Sequence, residues 1–366
     1  HKRNMEFHAW FNPFRALVDS RKNLNPPSHI THTHPDWIIN YGGKSYIDAG
    51  EPEARKYVIQ VITDVVKRDE IDAVHLDDYF YPYRIPGQAF GDYRSYSKYG
   101  RGQDKDDWRR SNIDSFIADL NTSIKHTKYY VKLGVSPFGI WRPANPPQVE
   151  GYDAYAKLYA DSRKWLAQGW VDYLAPQLYW SIDTRGQSFP VLLKWWAEQN
   201  DHHRLLVPGL NAAGTVRNRK DQAWKPEEII NQIRLTRKQA GADGEILWNM
   251  KSLTRNPALE QALGREVYTQ PALVPATPWL GNAHLKRPSL TVTHGSGTTF
   301  HWSASEKDRP ALWLLQWRAQ GQWNTEILPA AKTTWGGVVT APELVVVSGV
   351  DREANLGAPA TLQLRH

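Results

Sequence analysis

The segment Ile71–Pro82 reads I-D-A-V-H-L-D-D-Y-F-Y-P and decides how the rest of the chain is interpreted. Its first half is apolar and rich in β-forming residues, which predicts a short buried strand. Two adjacent carboxylates, Asp77 and Asp78, follow, and aromatic residues come next. Cleavage of a glycosidic bond needs this combination, because one acid protonates the leaving oxygen and one carboxylate attacks or stabilises the sugar cation. A solvated turn is the competing interpretation of an isolated Asp pair.

The first part of the chain alternates apolar strands with amphipathic helices. About six strands in this pattern indicate a parallel sheet with crossover helices. A doubly wound sheet and a (β/α)8 barrel both fit, but no glycine-rich phosphate motif follows any strand. Polar and aromatic residues instead follow successive strand ends, which favours the barrel. The predicted strands are Met5–Phe11, Ile71–Leu76, Val131–Val135, Val171–Leu178, Leu205–Val207 and Glu245–Trp248.

The last part of the chain has a different sequence pattern. Prolines between residues 271 and 278 indicate a linker, which we place at residues 272–280. Short β-rich runs without a helical stripe follow over residues 281–366, and they predict a small antiparallel sandwich. The sequence therefore predicts two domains, with the barrel over residues 1–271.

Composition narrows the class of partner. The 366 residues carry a net charge of +7, but the basic residues are scattered, so we expect no nucleic-acid binding. No apolar run approaches the roughly 18 residues of a membrane span, and we expect no transmembrane segment. The 17 Trp and 17 Tyr favour a carbohydrate partner, because a flat ring can cover the apolar face of a sugar. The sequence carries no signal for an oligomeric state.

Metal or cofactor chemistry has little support in the sequence. The chain contains no cysteine, which excludes disulfides and thiolate metal sites. His29, His32 and His34 lie close together, but in a loop without a supporting acid, and a solvated loop is the simpler interpretation. We therefore expect no metal and no cofactor.

Several multi-residue motifs occur in an order that a known family shares. They are H-A-W-F-N-P-F-R (His8–Arg15), Y-I-D-A-G-E-P-E-A-R (Tyr46–Arg55), V-H-L-D-D-Y-F-Y-P (Val74–Pro82), D-W-R-R-S-N (Asp107–Asn112), G-V-S-P-F-G-I-W-R (Gly134–Arg142) and L-A-P-Q-L-Y-W (Leu174–Trp180). Together they resemble the glycosyl-hydrolase-like family 10 of bacterial extracytoplasmic proteins. The resemblance covers about Lys2 to Met250. One relative, a divisome-associated glycosyl hydrolase, cleaves peptidoglycan strands, so the resemblance implies such a substrate.

The resemblance also implies the fold. The family fold is a (β/α)8 barrel, and against it this chain begins at the third strand, so we expect a barrel that lacks its first two strands here. The family often carries a carboxylate close after its last barrel strand, where this chain has Trp248, Asn249 and Met250. The C-terminal part is similar to a fibronectin type III-like module, mainly through V-V-V-S-G-V-D-R-E-A-N-L-G (Val345–Gly357).

Candidate site residues follow from the strand ends. We expect Asp77 and Asp78 to be catalytic, one as nucleophile or cation stabiliser and the other as acid/base or its orienting partner. Side chains alternate along a strand, so the turn after it is needed to bring both carboxylates into the site. His8 lies deeper and is expected to be a core residue. Expected substrate contacts, with capping or packing as the alternative role, are Trp10, Asn12, Arg15, Asp48, Tyr79, Tyr81, Ser136, Trp141, Arg142, Gln177, Tyr179, Trp180, Asn211 and Asn249.

These observations predict a glycoside hydrolase that cleaves a bacterial or environmental polysaccharide by carboxylate acid/base chemistry. Its predicted location is extracytoplasmic, whether periplasmic, lipid-anchored or secreted. The alternative is a non-catalytic carbohydrate-binding protein on a barrel scaffold, which would lack a second carboxyl near the centre of the cleft. A metal-dependent polysaccharide deacetylase ranks below both, because it needs converging His and Asp ligands.

Overall fold

The computed structural model describes residues 5–20, 25–216, 223–281, 284–294, 297–305, 307–336 and 342–364. Contacts within the chain divide the protein into two compact units. One unit is Phe7–Ala262, and the other comprises Leu263–His366 together with the first residues of the chain. The predicted domain boundary at residue 271 and the predicted linker at 272–280 stay predictions.

The strands and helices are numbered in chain order. The strands are β1 (His8–Phe11), β2 (Arg15–Leu17), β3 (Ile38–Tyr41), β4 (Lys44–Ile47), β5 (Ala73–Leu76), β6 (Lys132–Val135), β7 (Tyr173–Leu174), β8 (Leu205–Leu206), β9 (Gly209–Leu210), β10 (Ile246–Leu247), β11 (Ser289–His294), β12 (Thr298–Ser303), β13 (Leu312–Ala319), β14 (Gln322–Pro329), β15 (Thr334–Gly336), β16 (Leu344–Val350) and β17 (Ala360–Gln363). The α-helices are α1 (Ile30–Thr33), α2 (Pro52–Arg68), α3 (Tyr93–Tyr99), α4 (Lys105–Thr127), α5 (Ala154–Lys157), α6 (Ser162–Ala167), α7 (Phe189–Glu198), α8 (Pro226–Lys238), α9 (Met250–Arg255) and α10 (Pro257–Glu266). Short 3-10 helices occur at Pro35–Trp37 and Ala212–Thr215.

A parallel sheet forms the centre of the first unit. Its hydrogen-bonded order is β1-β5-β6-β7-β8, and β9 pairs in parallel with β10. A parallel bridge between Gln177 and Gly209 connects the end of the β7 segment to β9. In β5, Ala73, Val74 and Leu76 are completely buried. Apolar residues on both faces of a strand are typical of a parallel sheet, because crossover helices cover both faces.

The two longest helices begin where the sequence favours a helix start. Pro52 occupies the first turn of α2, where its missing N–H is not needed. The Asp104 side chain caps α4 by accepting hydrogen bonds from the backbone N–H groups of Asp106 at 2.9 Å and Asp107 at 3.1 Å. The two helices pack against each other, and α4 also contacts β6. Through its contact with β6, α4 supports one strand of the parallel sheet.

The parallel α/β architecture confirms the main prediction from the sequence. Each predicted strand segment contains one of the observed parallel strands. Closure of these strands into an eight-stranded barrel stays a prediction. A small antiparallel sheet of order β2-β4-β3 follows β1 and was not predicted. Its strands have only three or four residues, too few for a periodic pattern to stand out.

The second unit contains two antiparallel sheets, of orders β11-β12-β15 and β14-β13-β16-β17. Both sheets contribute to one buried cluster, which contains Phe300, Trp302, Trp313, Leu315, Trp317, Val345 and Val347. Alternating burial along β13 shows the reason, since every second side chain faces this cluster. The likeness to a fibronectin type III module stays a prediction.

Candidate active site

A cavity of about 640 Å³ lies at the carboxyl ends of the parallel strands. Parallel strands bring the residues that follow them to one edge of the sheet, which explains why distant parts of the chain meet here. The lining residues are His8, Trp10, Arg15, His75, Asp77, Tyr79, Ser136, Tyr173, Gln177, Tyr179, Gly209, Ile246 and Trp248.

Asp77 and Asp78 have different environments. Asp77, the first residue after β5, lines the cavity together with His75. The Asp77 Oδ1 accepts hydrogen bonds from Gln177 Nε2 at 3.1 Å and from the backbone N–H of Asp78 at 2.8 Å. Asp78 is only 4% exposed and lies behind this lining. There the Tyr83 hydroxyl donates a hydrogen bond to Asp78 Oδ2 at 2.5 Å.

Burial makes the Asp78 carboxyl a weaker acid than an exposed aspartate. It raises the pKa of the Asp78 carboxyl from 3.8 to about 7. The hydrogen bond from Tyr83 lowers this pKa, and the neighbouring Asp77 carboxyl raises it. Asp78 is therefore partly protonated near neutral pH, and a proton that is retained at this pH is what general acid catalysis requires.

Aromatic rings form the walls of the cavity. Trp10 from β1 and Trp248 after β10 meet edge to face, with ring centroids 6.1 Å apart. They are 56% and 43% exposed, so both rings remain accessible to a ligand. The guanidinium carbon of Arg15 lies 5.4 Å from the centre of the Tyr79 ring. Burial raises the pKa of the Tyr79 and Tyr179 hydroxyls, so both remain protonated donors.

Polar side chains form the floor of the cavity. The Tyr173 hydroxyl lies 2.9 Å from His8 Nδ1 and 2.8 Å from His75 Nδ1. The other ring nitrogen of His75, Nε2, lies 2.9 Å from the Ser136 hydroxyl. Burial, together with the nearby His8, lowers the pKa of His75 to about 4. His75 is therefore a neutral imidazole at physiological pH.

The structure brings together part of the predicted set. The predicted residues that line the cavity are Trp10, Arg15, Asp77, Tyr79, Ser136, Gln177 and Tyr179. Asp78 lies directly behind them. Their roles in binding or catalysis stay predictions, but their convergence makes one site of residues from several strands.

Asn12 and Asp48 lie outside this cavity. Asn12 follows the last residue of β1, where strand alternation ends, and it lines a separate cavity of about 410 Å³ that has mainly apolar walls. Asp48 is 6% exposed, and its Oδ1 accepts a hydrogen bond from the backbone N–H of Gly50 at 2.8 Å. This is the loop hydrogen bond that was the alternative role for Asp48.

Tyr81 was expected to contact the substrate, as Tyr79 was, but the structure places it outside the cavity lining. It is 2% exposed and packs edge to face against Phe90 and Tyr159. The expectation assumed strand alternation past Leu76, where β5 ends. The chain turns there, so residue parity no longer determines which side chains share a face.

Trp141 and Arg142 make contacts outside the cavity lining. The Trp141 indole Nε1 donates a hydrogen bond to Asp161 Oδ1 at 2.9 Å. The Arg142 guanidinium lies 3.4 Å from the Asp153 carboxylate. Both residues follow β6 by several positions, so the loop after the strand carries them away from the site.

Trp180, Asn211 and Asn249 also have structural contacts. Trp180 packs edge to face on Phe138 with ring centroids 5.7 Å apart. Asn211 accepts a backbone hydrogen bond at 3.2 Å at the start of the 3-10 helix that it precedes. Asn249 caps α9 in the same way at 3.3 Å. Short polar side chains are favoured at such positions because they satisfy the free N–H groups of a helix start.

The site contains residues that the sequence analysis did not select. They are His8, which was expected in the core but is exposed, and His75, Tyr173, Tyr83, Gly209, Ile246 and Trp248. Strand alternation was a usable signal for His75, which shares its side of β5 with Asp77. Position after the last strand was a usable signal for Trp248. No local pattern marks Tyr83 or Tyr173, because their contacts with the site depend on the tertiary fold.

Two further observations bear on the class of protein. Within the described ranges, no cluster of three or more His, Asp or Glu side chains has an arrangement that would hold a metal ion. The segment with three histidines forms α1 and a 3-10 helix rather than the expected loop, and in it His34 stacks on Trp37 with ring centroids 3.9 Å apart. None of the described helices has the length and apolar character needed to cross a bilayer.

A parallel α/β unit with a carboxylate-bearing aromatic cavity at its strand ends defines a protein of the glycoside hydrolase type. The sequence model of the family described as "Glycosyl hydrolase-like 10" matches residues 1–225. The chain is 39% identical over 350 residues to the glycosyl hydrolase YngK of Bacillus subtilis (strain 168), which covers 91% of this chain and 68% of YngK. It therefore belongs to the glycosyl hydrolase-like 10 family.

A second relative and a solved structure are also similar to this chain. The chain is 39% identical over 212 residues to the glycosyl hydrolase DigH of Escherichia coli (strain K12). That match covers 54% of this chain and 48% of DigH, so this chain aligns with about half of that relative. The glycoside hydrolase domain of PgaB (BpsB) from Bordetella bronchiseptica is similar at 14% identity and a TM-score of 0.47, over 71% of this chain and 75% of that domain.

Proposed function

We propose that this protein is a glycoside hydrolase that cleaves glycan strands of bacterial peptidoglycan. The observation that carries the proposal is the carboxyl pair at the end of β5. Asp77 faces the cavity, and Asp78 behind it has a pKa of about 7. A pair that stays partly protonated at neutral pH can supply the proton that a leaving glycosidic oxygen needs.

The two carboxyls have different proposed roles. Asp77 contacts the sugar, because it is the member of the pair that lines the cavity. Asp78 is a positioning residue, and its burial behind Asp77 keeps the Asp78 carboxyl partly protonated near neutral pH. Gln177 orients the Asp77 carboxyl through the hydrogen bond of 3.1 Å. Trp10 and Trp248 offer exposed rings on which a sugar can stack.

Arg15 supports an acidic glycan as the substrate. It lines the cavity beside Tyr79, and within the described part of the chain no carboxylate forms an ion pair with it. An arginine that is not neutralised by the protein favours a ligand that carries a carboxylate, which it can bind in a bidentate manner. The lactyl ether of N-acetylmuramic acid supplies such a carboxylate in peptidoglycan strands from which the peptides have been removed.

We also propose that the protein acts outside the cytoplasm, because the polymer it would cleave is located there. Fractionation of cells that produce the natural protein tests this point. Recovery in the periplasmic, membrane or extracellular fraction is expected. Recovery in the cytoplasmic fraction alone would contradict the proposed location.

The test of the activity is a cleavage assay on peptide-free peptidoglycan strands, with a panel of other polysaccharides alongside. Products are identified by mass spectrometry, and binding is measured by calorimetry. We expect the wild type and the exposed-site control Asp36→Asn to release fragments, and Asp77→Asn to bind the strands without cleaving them. Cleavage by Asp77→Asn at the wild-type rate would refute the proposed role of Asp77.

A second candidate function is a non-catalytic glycan-binding protein. The observation that favours it is the burial of Asp78, which leaves Asp77 as the one carboxylate among the lining side chains of the described cavity. The same assay separates the two functions. Binding of glycan strands by the wild type, with no cleavage of any polysaccharide, would establish the binding protein instead.

A further inference from the structure

We propose that Tyr173 is a positioning residue of this site, the hub of a hydrogen-bonded chain that ends at Asp77. The kinetic consequence of this inference rests on the proposed hydrolase function. The structural consequence does not, because it concerns the arrangement of the protein's own side chains.

The Tyr173 hydroxyl is held between two imidazoles. It lies 2.9 Å from His8 Nδ1 and 2.8 Å from His75 Nδ1. These two histidines come from the neighbouring strands β1 and β5. They are not opposite each other, because His8 pairs with Ala73 and His75 pairs with Trp10. Tyr173 comes from β7, on the far side of β6. Its hydroxyl is therefore the group that ties these three strands together at the cavity floor.

The fold makes room for the Tyr173 ring at a glycine. A Cβ atom added to Gly134 in β6 would lie 1.8 Å from Cζ of Tyr173, which is inside any allowed contact distance. The ring also stacks on His75 at an interplanar angle of 16°, with centroids 5.7 Å apart. Tyr173 is 3% exposed. Its orientation is thus determined by backbone and ring packing, and its hydroxyl serves as a reference point for the histidines.

The hydrogen bonds that link His8, Tyr173, His75 and Ser136 can be arranged in two ways, which differ in the donor of each bond. A tyrosine hydroxyl carries one proton, so it donates to one imidazole and accepts from the other. When Tyr173 donates to His75, neutral His75 carries its proton on Nε2 and donates to Ser136. When His75 donates to Tyr173, its Nε2 accepts from the Ser136 hydroxyl at the same 2.9 Å. In either case Tyr173 and Ser136 together hold the His75 ring.

Ser136 transmits this arrangement to the catalytic carboxyl. Its hydroxyl contacts His75, and its backbone carbonyl accepts a hydrogen bond from Gln177 Nε2 at 3.0 Å. The same Nε2 donates to Asp77 Oδ1 at 3.1 Å. A displacement of Ser136 would therefore alter the direction of the hydrogen bond that orients Asp77. Positioning of this kind affects the transition state more than substrate affinity.

Another buried tyrosine of the same unit provides a matched control. Tyr159 is also 3% exposed, and its hydroxyl also has two partners, the guanidinium groups of Arg84 and Arg109, each at 2.6 Å. It lies away from the cavity lining. Tyr173→Phe and Tyr159→Phe therefore remove the same atom from equally buried sites, and only the first removes it from the chain that ends at Asp77.

The kinetic test compares the two variants on peptidoglycan strands, with rates divided by the folded fraction. We expect Tyr173→Phe to lower kcat by about 10-fold and to change KM by less than about twofold, because a group is misplaced rather than removed. Tyr159→Phe is expected to keep the wild-type kcat even if its melting temperature falls. Equal kcat values for the two variants would overturn the positioning role.

The structural test uses crystal structures of the wild type and both variants. We expect the wild type and Tyr159→Phe to keep the contacts from His75 to Ser136 and from Gln177 to Asp77. In Tyr173→Phe, both contacts are expected to lengthen beyond hydrogen-bonding distance or to lose a single orientation. Retention of both contacts in Tyr173→Phe would overturn the proposal. If the wild type cleaves no glycan, the hydrolase function fails, and this structural test still decides the role of Tyr173.

Discussion

The cavity and a second cluster of charged and aromatic side chains lie in the same unit but use their charges differently. The second cluster consists of Arg84, Asp92, Lys105, Arg109 and Tyr159, and we refer to it as the Arg109 cluster. Its carboxylate, Asp92, is paired with two of its cations. Arg109 donates two hydrogen bonds to Asp92, of 2.6 and 2.7 Å, and Lys105 approaches the same carboxylate at 2.8 Å. Asp92 is completely buried by these partners.

In the cavity, the charged groups remain available to a ligand. Asp77 receives hydrogen bonds from uncharged donors, and Arg15 rests on an aromatic ring without a described acidic partner. Both regions are rich in tyrosine and arginine, so composition alone does not separate them. The difference is that a structural cluster satisfies its own ions, whereas a binding site keeps oriented groups that the protein has not neutralised.

The largest expected effect is on activity in the cavity. Asp77→Asn keeps the shape of the side chain and removes its acid, so we expect kcat/KM to fall by about 1,000-fold or more. The thermal midpoint of unfolding should stay within a few degrees of the wild type, since Asp77 is partly exposed and its partners are uncharged. Activity is followed by fragment release and stability by circular dichroism. If Asp77→Asn lost much stability and kept its activity, Asp77 would be a structural residue, as Arg109 is expected to be, and not a residue of the active site.

The Arg109 cluster should respond in the opposite way. Arg109→Met leaves Asp92 buried with Lys105 as its remaining ionic partner, so we expect the free energy of unfolding to fall by about 3 kcal/mol. Activity per folded molecule should be unchanged. Urea denaturation measures the first quantity and initial rates at a temperature below unfolding measure the second. Lys67→Met, on the exposed last turn of α2, controls for the loss of a surface charge. An effect no larger than that of the control would show that Arg109 is not structural.

Asp78 should show its burial as a dependence of stability on pH. Its pKa is raised from 3.8 to about 7 in the folded protein, so its contribution to stability is fully present below about pH 4 and is lost as the pH rises through 7. Asp78→Asn is neutral at every pH and does not undergo this loss. We expect the variant to gain about 3 kcal/mol over the wild type between pH 4.5 and pH 8.

Urea unfolding at several pH values measures this gain, and Asp36→Asn at an exposed position controls for the change in net charge. A difference between Asp78→Asn and the wild type that stays constant with pH would contradict the raised pKa of Asp78.

The smallest expected effect concerns substrate choice. Arg15 and Arg84 each lie with the guanidinium carbon 5.4 Å from a tyrosine ring centre, but Arg84 also contacts Asp106. We expect Arg15→Gln to raise KM for an acidic glycan by about 10-fold, or about 1.4 kcal/mol, with little change in kcat. Arg84→Gln should leave KM unchanged. An equal change in both variants would show that Arg15 has no special role in recognition.

The fold could be predicted from the sequence where local patterns are strong. The segment Ile71–Leu76 is apolar and β-rich, and the structure contains β5 there as a buried parallel strand. The site was predicted in part, through Asp77 and other residues that directly follow strands. Tyr81 shows where the position of a side chain can no longer be predicted from strand alternation. Residue parity indicates a shared face only while the chain is extended, and β5 ends at Leu76.

The sequence by itself determined the alternation of strands and helices and placed two carboxylates at a strand end, because hydrophobic periodicity and β-propensity act over a few neighbouring residues. Only the tertiary structure decided that Asp77 faces the cavity while Asp78 is buried against Tyr83. It also joined Tyr173 to His8 across 165 positions of the chain and to His75 across 98. Contacts of such separation depend on how whole strands pack, so no local pattern in the sequence can report them.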